Sequence, residues 1–153
     1  MSAPEGGQEH DLSGWFDGKR HVLPIRVYYE DTDAGGIVYY ANYLRFAERA
    51  RTEFLRSLSL DQKRLREDYG LLFVVRRVEV DYEGPARLDD LVQIHSSMAR
   101  LGGARLDLEQ DVMLGISRLV SLKVQVVTVD AETTRARRLP AHIRDILMPY
   151  SQS

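Results

Sequence analysis

Tyr29-Glu30-Asp31-Thr32-Asp33-Ala34-Gly35-Gly36-Ile37-Val38-Tyr39-Tyr40 is the stretch on which the fold turns, because the chain changes character on either side of it. Upstream, Val22 to Tyr29 is apolar and β-branched, the texture of a strand, with Pro24 marking a strand start or a sheet edge. Downstream, Tyr40, Tyr43, Leu44, Ala47, Ala50, Phe54, Leu55 and Leu58 recur at helical spacing with Arg45, Glu48, Arg49, Arg51, Glu53 and Arg56 between them. The quoted segment is therefore a strand-to-helix junction feeding one long amphipathic helix.

Further along, Asp61 to Tyr69 reads as a short polar helix stopped by Gly70. Leu72–Tyr82, Leu91–Arg100, Ala104–Met113 and Arg118–Asp130 then read as strands, by alternation or by apolar runs such as Val124 to Val129. Gly84-Pro85 and Asp89-Asp90 flank one connection, and Gly102-Gly103 and Gly115 make hairpins of the others. Pro140 to Leu147 predicts a closing helical turn. One long helix followed by a run of antiparallel strands is an α+β pattern in which the sheet buries a face against the helix.

A chain of 153 residues is long enough for a single domain with its own core. Residues 1–18, rich in Gly, Ser and acidic side chains, are expected to form a flexible tail ahead of a domain at residues 19–150, although Trp15 and Phe16 are able to pack on it. With 21 Lys and Arg against 23 Asp and Glu, no global field favours nucleic acid or an anionic membrane. The absence of Cys removes disulfides, thiolate metal ligands and a Cys nucleophile. No apolar run near the start suits a signal peptide and none elsewhere suits a membrane span, so a cytoplasmic location is expected.

The junction also carries the chemistry. A helix N-terminus presents unpaired N–H groups and partial positive charge, which can polarise an acyl carbonyl and hold the oxyanion formed on attack. The glycines allow close approach, and a carboxylate beside that carbonyl can attack it or draw a proton from water. On residue types alone, an ordinary Asp/Gly turn is the better account of the segment.

The run from Arg26 to Thr52 closely resembles the 4-hydroxybenzoyl-CoA thioesterase family, and within it the bacterial acyl-CoA thioesterases associated with the Tol-Pal gene cluster. The likeness continues through Phe73 to Arg76, Pro85 to Asp90 and Leu139-Pro140. The resemblance implies a hotdog fold, one long helix wrapped by a curved antiparallel sheet of about five strands. It also implies active sites at the interface of a homodimer, often a dimer of dimers forming a homotetramer. Asp33 falls on the family's catalytic Asp, Tyr40 on the position whose backbone N–H polarises the thioester, and Gly36 and Val38 on substrate-binding positions. Tyr40 stands where the Tol-Pal-associated members usually carry His, so no imidazole acts there and the acyl preference is not inherited.

The implied activity is hydrolysis of an acyl-CoA thioester to CoA and a carboxylic acid, with coenzyme A as part of the substrate and no separate cofactor. The rival reading is a non-catalytic hotdog module that binds acyl-CoA or acyl carrier protein. Arg135, Arg137 and Arg138 are candidates for the CoA phosphates, with a plain solvated turn as the alternative. Asp31 suits a turn or cap better than catalysis, Glu48 a salt bridge, and Tyr28 packing. His10, His21, His95 and His142 show no metal-ligand spacing, and no G-x-S-x-G, P-loop or dinucleotide fingerprint is present.

Overall fold

The computed structural model describes residues 12–152. In chain order the elements are β1 (Trp15–Asp17), β2 (Arg20–Arg26), a 3-10 turn (Tyr29–Asp31), α1 (Asn42–Ser57), α2 (Gln62–Tyr69), β3 (Leu71–Tyr82), β4 (Leu91–Leu101), β5 (Arg105–Leu114), β6 (Ser117–Asp130), α3 (Ala141–Leu147) and a closing 3-10 turn (Met148–Tyr150). The strands form a single six-stranded sheet in the order β1-β2-β4-β5-β6-β3, every neighbouring pair antiparallel. This is the α+β hotdog architecture expected from the sequence.

Alternation builds the sheet. Val92, Ile94, Ser96 and Met98 of β4 face inward, as do Leu106, Leu108, Gln110 and Val112 of β5 and Leu122, Val124 and Val126 of β6. Register shifts at Val75/Arg77, Met98/Arg100 and Val112/Met113 bend the strands, letting the sheet curve around a helix. α1 fills that curve with Tyr43, Phe46, Ala47, Ala50 and Phe54, all buried. Ala47 and Ala50 have no exposure, so the helix axis lies close to the sheet; full burial of Phe46 contributes on the order of 2–3 kcal/mol. Gly70, left-handed at φ 62°, ends α2 and turns the chain into β3.

Four boundaries differ from the sequence reading. The β2 strand stops at Arg26, so Tyr28 and Tyr29 belong to the loop. The helix proper starts at Asn42, past Tyr40. A sixth strand is present, because Trp15, Phe16 and Asp17 pair with Val22, His21 and Arg20. This corrects the tail boundary at residue 18: Phe16 packs against Phe54 and Tyr150 at centroid distances of 5.2 and 4.5 Å, contacts that a local pattern does not reveal. Residues 1–11 of the expected tail lie outside the described residues. At the other end the fold continues past residue 150, since Ser151 bridges Met98 and the Gln152 N–H donates to the Met98 carbonyl at 2.9 Å.

Among the described residues no helix is long and apolar enough to cross a membrane. Among the same residues, no cluster of His, Asp and Glu side chains is suited to hold a metal ion.

Candidate active site

Hydrogen bonds brace the junction. Asp31 is its hub: its carboxylate accepts the Tyr28 N–H at 2.8 Å. Its carbonyl accepts the Tyr39 N–H at 3.0 Å and the Asn42 side-chain amide at 2.9 Å. That is the capping role that turn chemistry suggested, and it joins the end of β2 to the start of α1.

Asp33 begins a tight turn. Its N–H donates to the Ile37 carbonyl at 2.9 Å, and its own carbonyl accepts the Gly36 N–H at 3.1 Å. Gly36 stands at φ 76°, a conformation that glycine adopts without a Cβ penalty. The Asp33 side chain is exposed; Oδ1 accepts the Gly35 N–H at 2.8 Å, while Oδ2 has no partner among the described residues. One oxygen thus orients the carboxylate and leaves the other open.

The turn is stitched to the Pro85–Asp90 loop. The buried Val38 donates its N–H to the Ala86 carbonyl at 2.9 Å, and the Leu88 N–H donates to the Gly36 carbonyl at 3.1 Å. The Tyr43 hydroxyl accepts the Ala86 N–H at 2.9 Å, and burial pushes the Tyr43 phenol above its ordinary value. Gly36 and Val38 therefore act on the geometry of Asp33 through main-chain bonds.

Tyr40 lies just ahead of α1, whose N-cap is Ala41. Its N–H has no acceptor among the described residues, and its carbonyl accepts the Tyr82 hydroxyl at 3.3 Å. Around it, Tyr39, Tyr40, Tyr82 and Tyr43 form a chain of rings with centroid separations of 4.8, 6.0 and 5.9 Å. A hydrogen bond with the Tyr40 hydroxyl raises the Tyr39 phenol, and burial raises that of Tyr82. An open carboxylate oxygen and an unspent N–H on one short, braced segment can attack and polarise an acyl carbonyl. Sequence reasoning missed Tyr82 and Tyr43, since an aromatic in a strand or helix carries no local sign of which loop it reaches.

The basic cluster is elsewhere. Arg137 donates through Nη1 to the Tyr69 and Gly70 carbonyls at 2.5 and 3.1 Å and lies 3.9 Å from Asp130, clamping the end of α2. The Thr128 hydroxyl donates to the Arg137 carbonyl. Arg135 and Arg138 are exposed. The cluster sits at the Leu71 end of β3 whereas Tyr40 sits at the Tyr82 end, and the 12-residue strand spans roughly 35–40 Å. One chain does not bring Arg135, Arg137 and Arg138 to Asp33.

Glu48, Arg51 and the buried polar pair Ser96 and Gln110 form a second polar group along α1, unconnected to the Asp33 turn by any hydrogen bond among the described residues. The single sequence signal for it is a Gln at an inward position of an otherwise apolar strand face.

Residues 35–121 match the thioesterase superfamily. The chain is 43% identical over 122 residues to the acyl-CoA thioesterase YbgC of Haemophilus influenzae, covering 80% of this chain and 90% of that protein. It is 44% identical over 121 residues to the acyl-CoA thioester hydrolase YbgC of Escherichia coli, covering 78% and 90%. Among solved structures, a probable thioesterase from Bartonella henselae superposes with a TM-score of 0.76 at 41% identity, covering 79% of this chain and 99% of that one.

Proposed function

The chain belongs to the thioesterase superfamily, and from that premise we propose that Asp33 and the Tyr40 N–H carry out the hydrolysis of an acyl-CoA thioester. The protein is a thioester hydrolase with acyl-CoA as its substrate class. The thioester carbonyl lies against the Tyr40 N–H, which donates to the oxygen as negative charge grows there. Asp33 either attacks the carbonyl carbon or takes a proton from a water that does. Collapse of the tetrahedral species breaks the carbon–sulfur bond; CoA leaves as a thiolate that gains a proton, and the acyl group leaves as a carboxylate. In the direct route, water then opens the Asp33 anhydride.

The observation that carries this reading is the Asp33 carboxylate itself, one oxygen held by the Gly35 N–H and the other open, on the segment that leads to the unspent Tyr40 N–H. A binding module gains nothing from such an arrangement.

The nucleotide end calls for a second copy. β3 is the outer strand of the sheet, with Val74 and Val75 exposed at 38% and 46% and no strand on its outer side among the described residues. An outer strand of twelve residues that exposes Val74 and Val75 invites pairing. Antiparallel pairing of β3 with β3 across a two-fold axis puts the Leu71 end of one copy beside the Tyr82 end of the other. Arg135 and Arg138 of the second copy then approach the Tyr40 turn and meet the CoA phosphates. The functional unit in this reading is a homodimer.

Thiol release from a panel of short, aromatic and long acyl-CoA thioesters tests the activity: release from at least one is expected, and none from any would favour the binding module. A single turnover in 18O-water, with hydroxylamine to trap an anhydride, separates the routes. Label or trapped hydroxamate on Asp33 identifies direct attack, and neither identifies the water route.

A further inference from the structure

A cavity of about 390 Å³ opens between α1 and the sheet, within the range that holds small ligands. Phe54 of α1, Phe73 and Val75 of β3 and Leu108 of β5 line it, and Glu48 and Arg51 of α1 supply its charge. None of Asp33, Gly36, Val38 and Tyr40 borders it, so it is distinct from the turn that carries the candidate catalytic carboxylate.

The polar floor is built, and its orientation is forced. Gln110 is fully buried; its amide nitrogen donates to the Ala47 carbonyl at 3.0 Å and to the Ser96 hydroxyl at 2.9 Å. The Ala47 carbonyl can only accept, so Gln110 Oε1 must point the other way, where it accepts Arg51 Nη1 at 2.9 Å. Arg51 is thereby held by a core side chain in a single direction.

Its remaining donors have no partner among the described residues. Among the described residues Arg51 has no carboxylate within 4.0 Å, whereas Arg20, Arg56, Arg64, Arg77, Arg105, Arg118 and Arg137 each have one. Glu48, a turn earlier on α1, is exposed and makes no ion pair with it. Burial pushes the Arg51 guanidinium below its ordinary value, with the field of Glu48 opposing. A half-buried cation with one neutral hydrogen bond is a costly arrangement that an anion relieves. Apart from Thr52, Gln62, Ser96 and Glu48 the rest of the wall is apolar, so the anion that fits comes on a largely apolar chain.

We propose that this cavity binds an apolar chain ending in a carboxylate, with the Arg51 guanidinium holding the carboxylate and the α1–sheet gap holding the chain. Two ligands share that chemistry: the free carboxylic acid that thioester hydrolysis releases, and the far end of an acyl group that itself carries a carboxylate. The binding half of the proposal does not rest on the role given to Asp33.

The test titrates the full chain, in its native oligomeric state, with octanoate and with 1-octanol as the uncharged match, following the methyl resonances of Val75, Leu108 and Val126. Octanoate is expected to shift these methyls and to bind roughly tenfold or more tighter than octanol, the factor that a charge-assisted hydrogen bond supplies. Arg51→Met is expected to bring the two affinities together, while Arg51→Lys retains part of the difference. Equal affinities in the wild type, or cavity methyls that do not move, overturn the proposal. Should Arg51→Met fail to fold by circular dichroism, the wild-type ratio and Arg51→Lys decide it.

Turnover distinguishes the sources. A kcat/KM preference for ω-carboxyoctanoyl-CoA over octanoyl-CoA that Arg51→Lys weakens assigns the carboxylate to the substrate. Octanoate binding without that preference assigns it to the free acid. If Asp33→Asn leaves turnover near normal and octanoate still binds, the catalytic reading falls and the cavity stands.

Discussion

The Tyr82 hydroxyl donates to the Tyr40 carbonyl oxygen at 3.3 Å, tying the last residue of the edge strand β3 to the turn that precedes α1. The amide on the other side of Tyr40 is the proposed electrophile, so the bond restrains the orientation of that residue. Tyr82→Phe removes the hydroxyl and keeps the ring contacts with Tyr40 and Tyr43. A lost bond of about 0.5–1.5 kcal/mol predicts a two- to tenfold fall in kcat, roughly, with KM little changed. Steady-state kinetics check this; a raised KM at normal kcat would place Tyr82 in substrate binding instead.

Asp33→Asn keeps the side-chain size and an oxygen for the Gly35 N–H but loses the charge. Turnover is expected to fall by about two to four orders of magnitude, with CoA affinity measured by calorimetry within about twofold of wild type. Near-normal turnover would sink the assignment.

Arg137 and its neighbours should separate by readout. Arg137→Ala removes donors from the Tyr69 and Gly70 carbonyls and is expected to lower stability by about 1–3 kcal/mol in urea unfolding, with kcat preserved. Replacing Arg135 and Arg138 together by Ala is expected to raise KM for acyl-CoA without moving the unfolding midpoint. A stability loss in that double variant with KM unchanged would argue for a structural turn.

Stability should fall with acidification near neutrality. Burial pushes His21 below the ordinary 6.5, the Ser13 carbonyl and Glu53 opposing. Burial, then Arg20, lowers His95, with Asp111 and Asp17 opposing. Both groups protonate in the unfolded chain first, so the unfolded state binds more protons below 6.5, and stability, complete above that pH, declines as pH falls toward the folded-state values. His21→Gln should flatten the slope measured by urea unfolding between about pH 7.5 and 5.5. An unchanged slope would show that His21 does not titrate differently in the two states.

The dimer prediction rests on the β3 edge. Val75→Glu puts a charge on an exposed apolar position of that strand and is expected to shift the sedimentation coefficient to that of a monomer, with loss of turnover. A dimer that persists would move the contact to another face.

Much of this fold is local in origin. Alternation along β4, β5 and β6 specifies which side chains face inward, and the spacing of Tyr43, Phe46, Ala47, Ala50 and Phe54 specifies a single helix face, because side-chain direction follows backbone period. The capping character of Asp31 was legible for the same reason, since its partner Tyr28 is a near neighbour in the chain. Trp15–Asp17 was not, because a three-residue strand has too few alternations to register and is held by the distant Phe54 and Tyr150.

By itself, then, the sequence determined the α+β class, the strand-to-helix junction and, through resemblance, Asp33 and Tyr40 as the residues to inspect. The tertiary structure alone decided that one Asp33 oxygen stays open, that Tyr82 reaches Tyr40, that Arg137 is a clamp and that Arg51 faces a cavity. Those outcomes depend on contacts between residues tens of positions apart, where hydrogen-bond partners are set by how sheet and helix pack and no local period encodes them.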